Sequence, residues 1–271
     1  MTAEQLGHLD IPSPGQGTLN LEDDVVANTV RTAIETGYRF IDAAQMYGNQ
    51  AGVGEGIAAA SVPREELFVE SKVLHPRVRD SVDVEQTIED AHECVERLGV
   101  DYLDVLYVHW PADHDLELAF EAFDALYEEG TFRHLGLSNF TPEYLDRARD
   151  LAAQPVEVVQ AELHPLLHND ELRAYCAEND LAYVAYCPVI RGEADQVPEL
   201  REVAEKHDAT PFQVSLAWVQ SKGAVPIPTG RGEELRENWE ARSLELDAED
   251  TEQIDAIERE ERVADPPFAV W

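Results

Sequence analysis

Two rhythms of apolar residues alternate along the chain. Short, near-continuous apolar or β-favouring runs are followed by longer stretches in which apolar residues fall at helical spacing. The runs are Tyr38 to Ile41, Leu67 to Ser71, Tyr102 to Val108, His134 to Leu137, Val156 to Val159, Leu181 to Ala185 and Ala224 to Ile227, with a short one at Gly17, Thr18 and Leu19. Between them the spacing predicts helices. Val25, Val26, Thr29, Val30, Ala33 and Ile34 mark the first, ending at Gly37, and a second runs from Gln50 to about Ala60. Val84, Ile88, Ala91, Val95 and Leu98 line a long one closed by Gly99, and Leu116, Phe120, Phe123 and Tyr127 another closed by Gly130. Glycine supplies the left-handed residue that ends a helix. Thr141-Pro142 offers a cap and a first helical position. Further helices are expected over Asn169 to Glu178, Val197 to Lys206, Phe212 to Gln220, Glu233 to Asn238 and Ala248 to Glu260.

Apolar runs without alternation suit parallel strands buried on both faces. Eight of them separated by helices permit an open doubly wound sheet or a closed α/β barrel, the (β/α)8 TIM barrel. An open sheet that binds a dinucleotide carries its Gly-rich turn directly after the first strand. Gly52, Gly54 and Gly56 follow a loop instead, so that fingerprint is missing. The 271 residues suit one domain spanning 1–271.

Charge changes the picture. Asp and Glu total 56 against 20 Lys and Arg, a formal net charge of −36, and only Lys72, Lys206 and Lys222 are lysines. Such a surface repels nucleic-acid phosphates and anionic membranes. The acids are interleaved with regularly spaced apolar positions, as on solvated helix faces, and so describe the medium: the chain is expected to be halophilic, with self-repulsion screened by salt. No segment reaches the run of about 18 apolar residues that a membrane helix needs. The start, MTAEQLGHLD, has neither the basic nor the apolar region of a signal peptide. Cys94, Cys176 and Cys187 are widely spaced and odd in number, which argues against a disulfide framework or metal cluster. The expected compartment is the cytoplasm.

The candidate chemistry lies where strands stop. GYRFIDAAQMYG, residues 37–48, runs from an apolar strand into Asp42, with Tyr47 in the loop beyond. Lys72 and His109 follow later strands. In a barrel these ends share one mouth, where catalytic side chains collect. A tyrosine beside a lysine ammonium is expected to have its pKa drawn down from about 10 toward neutrality. Asp42 would orient Lys72, and His109 could donate to a substrate oxygen. The alternatives are that Asp42 caps the next helix, Lys72 reaches solvent and Trp110 merely covers the rim. Histidines 75, 109, 114, 134 and 164 are scattered without HExxH spacing, so no metal site is expected, and no GxSxG elbow occurs.

These segments, with VESKV at 69–73, YVHWP at 107–111, GLSNF at 136–140, QAELHP at 160–165, AYCP at 185–188, PIP at 226–228 and REN at 236–238, resemble the aldo-keto reductases. The likeness is to their compact prokaryotic type, which includes diketogluconate and methylglyoxal reductases. It implies a TIM barrel with short substrate loops and an NAD(P)H-dependent oxidoreductase that reduces small aldehydes and ketones. By the same resemblance Asp42, Tyr47, Lys72 and His109 form the catalytic tetrad, with Tyr47 the general acid. Ser138, Asn139 and Gln160 would hold the nicotinamide carboxamide and Tyr186 stack on the ring. Thr229, Arg231, Glu234 and Asn238 would meet the rest of the cofactor. Glu234 stands where NADPH-preferring relatives carry an arginine, so NADPH or NADH remains open, leaning to NADPH on family habit. Leu19 and Trp110 are candidate substrate walls, and Phe268 and Trp271 either join them or pin the tail. Short loops imply an open mouth. The partner would be a small-molecule carbonyl substrate and the protein a monomer; the alternative is a nicotinamide-nucleotide-binding sensor or regulatory subunit with little turnover.

Overall fold

The computed structural model describes residues 5–78, 81–111 and 115–271. Eight parallel strands follow one another in chain order around one sheet: β1 (Gln16–Gly17), β2 (Phe40–Asp42), β3 (Phe68–Val73), β4 (Leu103–Val108), β5 (Phe132–Ser138), β6 (Val156–Glu162), β7 (Ala182–Tyr186) and β8 (Val225–Pro226). The sheet closes on itself, because Gly15 N–H donates to Pro226 O over 3.0 Å and Gly17 N–H to Pro228 O over 3.0 Å. Glycine is needed at this seam: a Cβ on Gly17 would stand 2.9 Å from Ile227 O.

Helices α1 (Asp23–Thr36), α2 (Gln50–Ala59), α3 (Val84–Leu98), α4 (Leu116–Glu129), α5 (Pro142–Leu151), α6 (Asp170–Glu178), α7 (Pro198–His207), α8 (Pro211–Ser221), α9 (Glu233–Glu240) and α10 (Ala248–Asp255) complete the fold. Their ends follow local chemistry. The Asp83 carboxylate caps α3 by accepting from Gln86 N–H at 2.9 Å, Thr141 caps α5, and Gly99 and Gly130 end α3 and α4 at φ of 63° and 79°.

The core has two layers. One, with Val26, Val69, Leu106, Phe120, Leu137 and Trp218 among its members, fills the space between strands and helices. The other lies inside the barrel, where Ile11, Phe40, Val105, Val158, Val184 and Ile227 pack together. Leu9 packs against the inner layer from the segment preceding β1.

Of the boundaries that differ from the sequence reading, three have a plain physical cause. Tyr38 precedes β2, since its hydroxyl donates to Leu235 O at 3.0 Å and its ring packs on Trp239. β6 continues through Gln160, Ala161 and Glu162, paired with Val184, Ala185 and Tyr186; the polar side chains that disguise it as a loop are buried in the barrel. Helix α10 ends at Asp255 rather than near Glu260, because the chain turns away and Glu261 N–H donates to Leu166 O at 2.7 Å.

Candidate active site

Asp42 ends β2, Tyr47 closes the short turn Gln45–Tyr47, Lys72 lies one residue before the end of β3 and His109 directly follows β4. These four come together at the carboxyl end of the barrel. Lys72 is wholly buried, so it does not reach solvent, and its Nζ donates to Asp42 Oδ1, to Ala43 O at 3.0 Å and to the Tyr47 hydroxyl at 3.3 Å. All three ammonium protons thus have partners. Asp42 therefore serves Lys72 and does not cap the next helix. The Tyr47 and His109 rings lie edge to face, 6.1 Å between centroids.

Electrostatics correct one expectation. Burial raises the pKa of Tyr47 more than the Lys72 charge lowers it, and the nearby Asp42 and Glu70 carboxyls add to the rise. Tyr47 is therefore a firmly protonated phenol, available to donate, and not one poised near neutrality. Burial disfavours the Lys72 ammonium, yet Asp42, Tyr47 and Glu70 outweigh it and hold its pKa above the ordinary value. Burial, then Lys72 and His75, push His109 well below the usual histidine range, which makes it a neutral imidazole. Its Nδ1 is buried without a hydrogen-bond partner among the described residues.

Beneath this group lies one that the sequence reading missed. Glu70, wholly buried in β3, has Oε1 2.6 Å from Gln160 Nε2 and Oε2 2.7 Å from the Tyr107 hydroxyl. Gln160 Nε2 also donates to Asp42 Oδ1 at 3.1 Å. The signal was present in VESKV, where alternation places Glu70 on the same inward face as Lys72.

A second set of polar groups borders the same mouth. Ser138 ends β5, Asn139 follows it at φ 66°, and Tyr186 ends β7. Asn139 Nδ2 donates to Ser138 Oγ at 3.0 Å and His109 O at 2.9 Å, and the Tyr186 hydroxyl donates to Asn139 Oδ1 at 2.6 Å. Beyond β8, Thr229 is exposed, and Gly230 lies so close to α9 that a Cβ would stand 2.7 Å from Asn238 Nδ2. Glu234 Oε2 accepts from Arg231 N–H at 3.2 Å, while the Arg231 and Arg236 side chains are exposed. The chain fits a nicotinamide nucleotide on these observations: polar side chains on neighbouring strand ends lead to a glycine-lined loop at a helix start.

The mouth is less open than short loops imply. The loop after β4 includes residues 112–114, which lie outside the described residues. Trp110 is 5% exposed, with Phe268 and Trp271 packed on it at centroid distances of 5.1 and 5.3 Å, and Phe268 also meets His75 at 5.4 Å. The two tail aromatics thus pin the tail onto Trp110. Glu162, wholly buried at the end of β6, holds the tail by accepting from Val263 N–H at 2.7 Å and Ala264 N–H at 2.9 Å. Leu19 sits half-buried in the turn after β1.

A closed parallel barrel with acid–base groups gathered at its carboxyl mouth defines a TIM-barrel enzyme. Residues 13–259 match the model of the aldo/keto reductase family, and the chain belongs to that family. It is 37% identical over 261 residues to methylglyoxal reductase DkgB of Escherichia coli O157:H7, covering 94% of this chain and 96% of that protein. It is 36% identical over 262 residues to glyoxal reductase of Bacillus subtilis (strain 168), covering 96% and 93%. Among solved structures, MGS-M4, an aldo-keto reductase from a Medee basin deep-sea metagenome library, superposes with a TM-score of 0.89 at 31% identity, covering 97% of each chain. The protein is an NAD(P)H-dependent oxidoreductase that reduces carbonyl compounds. No helix among the described residues is long and apolar enough to cross a membrane.

Proposed function

We propose that the chain reduces small aldehydes and dicarbonyls, with Tyr47 as the proton donor. The observation that carries this reading is the Tyr47 hydroxyl 3.3 Å from Lys72 Nζ, with the Asp42 carboxylate bound to the same ammonium. When bound, the reduced nicotinamide supplies the hydride. Tyr47 gives its proton to the carbonyl oxygen as charge develops there, and Lys72 stabilises the phenolate left behind. Asp42 fixes Lys72, and neutral His109 orients the carbonyl as a hydrogen-bond donor. Ser138 and Asn139 hold the carboxamide. Both Gln160 amide protons are engaged by Asp42 and Glu70, so Gln160 offers the carboxamide its carbonyl oxygen. Tyr186 backs the nicotinamide ring and leaves one face for transfer.

The cover of Phe268 and Trp271 over Trp110 supports a small substrate, and relatives named methylglyoxal and glyoxal reductase support the dicarbonyl class. Leu19 and Trp110 form its apolar walls. NADPH is the preferred cofactor on this reading. Glu234 is engaged with the Arg231 amide, and the exposed Arg231 and Arg236 side chains are left for a 2′-phosphate, with Thr229 and Asn238 framing the loop. The protein acts as a cytoplasmic monomer in a salt-rich medium. Only four large hydrophobic side chains are exposed among the described residues, Val78, Leu118, Tyr127 and Trp271, and this small number supports the monomer.

The test follows the absorbance of reduced nicotinamide in molar salt, with NADPH and NADH offered separately against methylglyoxal, an aromatic aldehyde and a keto-sugar acid. Methylglyoxal-dependent oxidation, faster with NADPH, is expected. Turnover confined to the aromatic aldehyde would overturn the substrate class, and faster NADH oxidation the cofactor preference.

A further inference from the structure

Five groups meet inside the barrel below the mouth: Asp42 from β2, Glu70 and Lys72 from β3, Tyr107 from β4 and Gln160 from β6. Asp42 and Glu70 are register partners across two adjacent strands, and Glu70 lies within hydrogen-bonding reach of Asp42. Two buried carboxyls therefore face one ammonium, and the protons of that ammonium already go to Asp42, Ala43 O and Tyr47. None is left for Glu70. Its other neighbours, the Tyr107 hydroxyl and the Gln160 amide, are neutral donors. Neutral hydrogen bonds favour a carboxylate, but less strongly than burial beside a like charge opposes it.

Resting on the reductase reading, we propose that Glu70 is a positioning residue for the catalytic cluster: it keeps its proton, shares it with Asp42, and thereby leaves Lys72 a single counter-ion and an N–H directed at Tyr47. The direction of the Glu70 equilibrium agrees, since burial and then Asp42 push its carboxyl well above the usual carboxylate range. The coupling to chemistry is electrostatic. A charged Glu70 raises the pKa of Tyr47, so a neutral one keeps Tyr47 the stronger acid. When Glu70 loses its proton at high pH, Tyr47 holds its own more tightly, which extends the range over which it stays protonated. Tyr47, Lys72, Asp42 and Tyr107 are the titratable groups that face Glu70, and His109 lies beyond Lys72.

The experiment compares wild type with Glu70→Gln by infrared difference spectroscopy at neutral pH, which needs no turnover. The wild type should show the C=O stretch of a protonated buried carboxyl, shifted in heavy water, and the variant should lose it. A wild type without any such Glu70-dependent band overturns the proposal, even if the enzyme is an active reductase. The second readout is the pH profile of kcat/KM for reduction. Glu70→Gln should move the alkaline limb to lower pH, because Tyr47 then ionises without the opposing charge. A limb that stays in place means that Glu70 keeps its proton throughout that range and agrees with the proposal, whereas a limb that moves to higher pH overturns it. Should Glu70→Gln not fold, Tyr107→Phe replaces it in the infrared test. Removing the phenol shifts the frequency of the same band if the acid is Glu70, and an unmoved band overturns the assignment.

Discussion

Glu162 and Val263 are joined across about a hundred residues of chain: the Val263 amide donates to Glu162 Oε1 at 2.7 Å, and the separation in sequence is 101. With the Ala264 amide on its other oxygen, this one carboxylate docks the tail that brings Phe268 and Trp271 onto Trp110. The Glu162→Ala variant removes the partner of both tail amides and of the buried His164 Nε2, which lies 2.8 Å from Glu162 Oε1; a buried group left without a partner costs about 1–3 kcal/mol. The tail should detach. KM for a small dicarbonyl is expected to rise with kcat less affected, and tryptophan emission to shift to the red; a variant with unchanged KM and emission would place the substrate elsewhere.

Removing the Tyr47 hydroxyl tests the proton donor directly. Tyr47→Phe should lower kcat by about 10²–10⁴-fold, the usual contribution of general acid catalysis. Cofactor affinity, read by fluorescence titration, should change little. Retained turnover would assign the proton to another group.

His109 gives stability a pH dependence of definite sign. Its pKa is lowered in the folded protein from an ordinary value of 6.5, so the unfolded chain binds more protons between the two values. The His109 contribution is thus fully present above about pH 6.5 and declines as pH falls toward the folded value. Thermal melts across this window should show wild type losing stability more steeply than His109→Asn. Parallel slopes would mean that the imidazole is charged in the folded state.

Salt should act on the whole surface. With a formal charge of −36, self-repulsion is screened over about 10 Å at 0.1 M salt and over about 3 Å at 1 M. The midpoint of thermal unfolding, followed by circular dichroism, is expected to fall as salt is diluted. A midpoint independent of salt would show that the acids lie too far apart to matter.

Periodicity made the barrel legible, because each amphipathic helix and each apolar run keeps its period regardless of distant contacts. Val84 to Leu98 and its Gly99 stop needed no tertiary information, and neither did the aspartate at the end of β2. What escaped depended on partners far along the chain. Gln160 to Glu162 are polar, and only the neighbouring strands and the buried cluster make them strand residues. For Tyr47 the sequence shows one nearby charge, Lys72, which lowers its pKa, whereas burial, visible only in the fold, raises it and sets the sign. Glu70 is a lone carboxylate in an apolar strand and acquires meaning only once Asp42 stands across from it.

The seam between β1 and β8 has a consequence for cofactor exchange. Both strands are two residues long, and two backbone hydrogen bonds close the wall there, whereas β3 to β7 are five to seven residues each. Local opening is easiest where fewest contacts must be broken. The loop proposed to hold the nucleotide, Thr229 to Gly232, leaves directly from this joint, and Thr229 Oγ1 lies against Gly17. A nucleotide bound there would act as a clasp on the barrel wall, contributing about 2.7 kcal/mol at a hundredfold excess over its dissociation constant. By reciprocity, whatever loosens the clasp would weaken the grip on the nucleotide by the same factor.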